Sequence, residues 1–143
     1  MDKGEAHLLS PEQAMFYWPA ISKELHAVRH VWDLWWTEDA LRQAVLDGWM
    51  NVWAIGGSES ISLVLFTQIV YYPANKMLRV VLTVGNRLEE FFDVAEAALE
   101  KYSIDNGCMY MEAHGREGWG RRVPGIVKHG TMFTRKVTNL KVQ

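Results

Sequence analysis

Two side chains able to move a proton, Glu112 and His114, stand two positions apart at the end of the apolar run Cys108-Met-Tyr-Met111. On an extended strand such residues share a face, so both can line one cleft and either can serve as a general base. Each has a plainer alternative: Glu112 pairs with Arg116 or Arg121 to tie down the following turn, and His114 is a hydrogen-bonded structural histidine. The turn itself, Gly115-Arg-Glu-Gly-Trp-Gly-Arg-Arg122 with Gly125 beyond it, sets glycines among arginines. Backbone amides together with Arg116, Arg121 and Arg122 can close around an anion there. The same glycines also permit a tight strand-to-helix corner with no ligand at all.

These residues must be positioned by a strand, a helix and a second strand. The β-branched run Leu78-Arg-Val-Val-Leu-Thr-Val84 predicts a strand over 77–84, which leads through Gly85-Asn86-Arg87 into a helix over 87–105. Leu88, Phe91, Phe92, Ala95, Leu99 and Tyr102 form the apolar face of that helix, and a strand over 108–113 follows. Carboxyl ends of parallel strands and a helix N-terminus then converge on one edge, where α/β sheets bind ligands.

Upstream, a short strand at Ala6–Leu9 runs into Ser10-Pro11, an N-cap serine with proline at the first helical position. Met15, Trp18, Ile21, Leu25 and Val28 recur at helical spacing, predicting a helix over 11–30 with a bend at Pro19. Thr37 caps a second helix whose first turn is acidic and whose apolar face is Leu41, Val45 and Leu46, ending at Gly48. Strands over 51–55 and 61–72 form a hairpin through Gly56-Gly-Ser58, and Pro73-Ala-Asn75 turns the chain again. Beyond residue 113 come a short helical or irregular stretch over 116–126 and a last strand, Thr131 to Val137. The whole of 1–143 reads as one domain, with 138–143 as a tail.

Composition agrees with a packed α/β (α+β) domain: 143 residues, 49% hydrophobic, with a net charge of only -2, which excludes disorder. The single cysteine, Cys108, cannot form an internal disulfide, and its apolar neighbours suggest a buried thiol. No stretch approaches the roughly 18 to 20 apolar residues of a membrane span, and the first seven residues do not form a leader. The chain is therefore expected in a cytoplasm, or in a particle assembled there. Charge is divided unevenly: residues 114–143 carry seven basic side chains against one acidic, a net of +6, and residues 1–113 eight against sixteen, a net of -8. A basic terminal segment suits a phosphate, nucleic acid or an acidic protein surface, or is a solvated face. No motif for reading specific nucleic-acid sequences and no metal-ligand spacing is present. Among seven tryptophans, Trp18, Trp32, Trp35, Trp36, Trp49 and Trp53 lie in the first half; most are expected in the core and one or two on a surface patch.

This order, β-α-α-β-β-β-α-β-α-β, resembles the GNAT acyltransferase fold: a mixed, mostly antiparallel central sheet of six to seven strands with helices on both faces. The segment Glu112-Ala-His-Gly-Arg-Glu-Gly-Trp-Gly-Arg121 is similar to one in the small GNAT-like proteins of tailed bacteriophages. The resemblance implies a fourth strand that splays from the fifth, with the backbone of Leu82, Thr83 and Val84 pairing with the pantetheine of acetyl-CoA. It also implies a pyrophosphate turn of Arg or Gln, two residues, Gly, one residue, then Gly or Ala. Here that turn reads Arg87-Leu-Glu-Glu-Phe-Phe92, which keeps only the arginine, while Gly85 and Asn86 can shape a variant loop. Glu89 and Glu90 stand where a diphosphate would lie. Two unit charges about 5 Å apart at an effective dielectric near 20 interact by about 3 kcal/mol, roughly a hundredfold in affinity. The tyrosine that protonates the leaving thiolate in family enzymes has no counterpart between Arg116 and Gly130, where Trp119 stands nearest and cannot titrate.

The expectation is therefore a phage-encoded protein with a degenerate acyl-CoA site. It would bind another protein, of the virion, its assembly machinery or the host, through aromatic and basic surfaces. The alternative is an acetyl-CoA-dependent N-acetyltransferase with Glu112 or His114 as base and Arg87, Arg116 and Arg121 near the phosphates.

Overall fold

The computed structural model describes residues 4–56, 60–85, 87–113, 125–130 and 134–136. In chain order the elements are β1 (Ala6–Leu9), α1 (Pro11–Ala27), α2 (Arg29–Trp32), α3 (Glu38–Leu46), β2 (Asn51–Gly56), β3 (Ile61–Tyr71), β4 (Lys76–Gly85), α4 (Leu88–Asp105) and β5 (Tyr110–Ala113). The strands form one sheet in sequence order, antiparallel throughout except for the parallel pair β4–β5.

Local chemistry sets the boundaries. Ser10 closes a capping box with Gln13 at the start of α1, each side chain bonding the other's backbone N–H. The Thr37 hydroxyl accepts from the Ala40 N–H at the start of α3. α1 runs through Pro19 without interruption; the predicted single helix over 11–30 is instead broken at Val28, whose φ of -127° and ψ of 35° leave the helical range. At the far end of α4, Gly107 takes φ +71°, so that its N–H and that of Cys108 reach the carbonyls of Ile104 and Ser103. This closure uses residues 107 and 108, which is why β5 begins at Tyr110 rather than at the predicted Cys108.

The sheet is covered on both faces. On one, α1 and α3 pack Trp18, Ile21, Leu25, Leu41 and Val45 against Val52, Val64, Phe66, Leu82 and Val84. On the other, Phe91, Ala95 and Leu99 of α4 meet Trp53, Ile55, Leu63, Leu65 and Leu78. β2 and β3 are consequently apolar on both faces, as doubly covered strands must be. Trp18, Trp32 and Trp53 are buried while Trp35 and Trp49 are exposed, the division expected of the tryptophans. The Cys108 thiol is only partly buried, at the margin of the α4 core.

Five strands stand among the described residues where the sequence predicts six to seven. Residues 134–136, inside the predicted last strand, are exposed and carry no ladder. The rest of that prediction, and nearly all of the short helical or irregular stretch expected over 116–126, fall outside the described residues. No helix among the described residues is long and apolar enough to cross a membrane.

Candidate functional site

The site begins where the described part of β5 ends beside β4. β4 and β5 pair from Met77↔Tyr110 to Val80↔Ala113, and β4 then continues five residues further, Val81 to Gly85, held on its other side by β3. Among the described residues nothing pairs with the outer edge of that extension. A bulge prepares it: Phe66 stands opposite Leu82 and Thr67 opposite Val80, leaving Val81 as the extra residue. Leu82 and Val84 therefore point into the α1–α3 core, whereas Thr83 points to the other face. The Thr83 hydroxyl is buried and has no hydrogen-bond partner among the described residues.

Gly85 ends the extension. Its φ is +136°, and a Cβ there would lie 2.3 Å from the carbonyl oxygen of Ser62. Ser62 is itself the extra residue of a second bulge, between Ile55↔Leu63 and Gly56↔Ile61. The backbone of β3 thus pushes into β4 at a point where only glycine fits. Gly85 also lines a cleft of about 330 Å³ with Lys23, Glu24, Ala27 and Val28 of the α1 terminus.

α4 starts at Leu88, immediately after Arg87, and Arg87 stands at its N-cap without a side-chain capping bond. Positions that the family motif would use as a glycine turn are already helical. The Arg87 guanidinium is turned onto its own helix: Nε donates to Glu90 Oε2 at 2.7 Å, Nη2 also meets that oxygen, and the group lies 5.2 Å from the Phe91 ring centroid. Its charge is answered by a neighbouring carboxylate three residues on. Glu89 and Glu90 are both exposed in this first turn. Among the described residues the start of α4 offers no bare glycine turn to the diphosphate of acetyl-CoA.

Glu112 is also engaged. It lies directly opposite Arg79 in the parallel register, and its Oε1 accepts from Arg79 Nε at 2.7 Å and from the Tyr72 hydroxyl at 2.8 Å. Arg79 Nη2 donates to the Tyr72 oxygen at 2.6 Å, closing a three-membered network. Burial works against the Arg79 charge, but the bonds to Glu112 and Tyr72 outweigh it and raise its pKa above the ordinary value. Among the described residues Glu112 is tied to Arg79 and Tyr72, and the expected partners Arg116 and Arg121 lie outside the described residues. Glu112 Oε1 is thereby occupied by two hydrogen bonds.

A second polar cluster joins α1 to α3. Glu38 Oε1 accepts from the Ser22 hydroxyl at 2.6 Å and stands 2.9 Å from His26 Nε2. The Ser22 bond is the main reason that the Glu38 carboxyl sits below its usual pKa; burial opposes it, and the Trp18 indole and His26 add smaller contributions. Trp18 Nε1 is buried without a hydrogen bond of good geometry, so its influence on Glu38 is electrostatic. Ser22 and His26 lie four residues apart on α1, on the flank opposite Glu24 and Val28. This cluster fastens the two helices and does not face the Gly85 cleft.

Of the residues singled out from sequence, Leu82, Thr83, Val84, Gly85 and Arg87 gather around the β4 extension and the α4 start, and Glu112 lies near the base of the opening. Asn86, His114, Arg116 and Arg121 lie outside the described residues. Sequence reasoning missed Tyr72 and Arg79. The signal for them was a charge in each of two strands, but only the register makes Arg79 and Glu112 opposite.

No protein-family model matches the sequence, and no curated protein resembles it. Solved structures do. An aminoglycoside acetyltransferase from an uncultured soil metagenomic sample, crystallised with sisomicin, superposes with a TM-score of 0.69 at 11% identity over 94% of this chain and 96% of that one. A GNAT family acetyltransferase of Staphylococcus aureus gives a TM-score of 0.65 at 11% identity over 92% and 97%. The ribosomal-protein-alanine N-acetyltransferase of Brucella melitensis biovar Abortus gives 0.63 at 10% identity over 93% and 99%. The fold is that of the GNAT acetyltransferases, and at these identities the likeness extends to the fold alone.

Proposed function

We propose that this chain uses the acetyltransferase fold as a binding module rather than as an acetyl-CoA enzyme. The observation that carries this reading is the start of α4 directly after Arg87, with the arginine folded back onto Glu90 and Phe91 and the glycine turn replaced by a helical turn bearing two carboxylates. The engagement of Glu112 by Arg79 and Tyr72 supports it. The partner is another protein. The similarity of residues 112–121 to phage GNAT-like proteins favours a component of a phage particle, its assembly machinery or a host target, and a place in the host cytoplasm or a packaged particle.

A second reading is an acetyl-CoA-dependent N-acetyltransferase, favoured by the edge of β4 beyond Val80, with which nothing pairs among the described residues. In it Leu82, Thr83 and Val84 line the pantetheine path, Gly85, Asn86, Arg87, Arg116 and Arg121 meet the phosphates, and Glu112 or His114 takes the proton from the amine. Thermal denaturation in the presence of acetyl-CoA separates the two. A ligand at a hundred times its Kd stabilises the native state by about 2.7 kcal/mol. The binding-module reading expects no saturable rise in Tm up to millimolar acetyl-CoA; a saturable rise of several degrees overturns it.

A further inference from the structure

We draw no further inference here: the strongest candidate, the surface patch of exposed Val31, Leu34 and Trp35 on α2 and the turn after it, carries nothing because no feature of the structure shows what covers it.

Discussion

Arg79 and Glu112 stand opposite each other across the parallel pairing of β4 with β5, joined by a 2.7 Å charge-assisted hydrogen bond and bridged by the Tyr72 hydroxyl. The pair sits one step before Val80↔Ala113, the last register position among the described residues. A link at that point fastens β5 to β4 at the end of their described ladder. Fixing β5 in this way matters because, among the described residues, four of it pair with β4.

Glu112→Gln should therefore cost stability. With both side chains about one-third exposed, the ionic contribution is discounted for solvent, and about 1 kcal/mol is expected in urea unfolding. A double-mutant cycle with Arg79→Met should show a coupling of about 0.5 to 1 kcal/mol. Additive effects would mean that the bond contributes nothing to the junction.

Gly85→Ala should be far more damaging than its size suggests. The new methyl would stand 2.3 Å from the Ser62 oxygen and 2.9 Å from the Leu63 Cα, at a φ disfavoured for alanine. About 2 to 4 kcal/mol of destabilisation is expected. Gly107→Ala is the control: its φ of +71° is also unfavourable, but nothing lies within 4 Å, so about 1 kcal/mol is expected. Similar losses in the two variants, read from urea midpoints, would contradict the close approach of β3 to Gly85.

The Glu38 cluster predicts acid sensitivity. Its carboxyl has a folded pKa below the unfolded reference of 4.5, chiefly through Ser22. A depressed carboxylate contributes stability that is fully present above the unfolded value and is lost as pH falls through 4.5 toward the folded value. The difference in urea midpoint between the natural chain and Glu38→Gln should thus be constant near neutrality and shrink below 4.5. In a Ser22→Ala background it should shrink at every pH. A difference that grew with acidity would reverse the assignment.

Much of the fold was legible in the sequence, because the signals were local. Ser10-Pro11, Thr37 and the apolar spacing along 88–102 marked helix starts and faces that the structure reproduces. The break at Val28 was not, since nothing in its residue type announces it; proline at position 19 drew attention instead, yet the helix passes through it. At the site, Arg87 and its altered turn were readable as a departure from a motif. That Arg87 lies on Glu90 and Phe91, and that Glu112 faces Arg79, depends on rotamers and register, which a linear pattern does not encode.

The extra residue at Val81 splits β4 into two lengths that are out of phase. Val80 and Leu82 already stand opposite the consecutive residues Thr67 and Phe66, so removing Val81 would close the ladder with Leu82, Thr83 and Val84 on their present faces. The one surplus residue thus puts a local kink into β4 without turning any neighbour over, and a chain lacking it would be expected to run straighter with the same two cores.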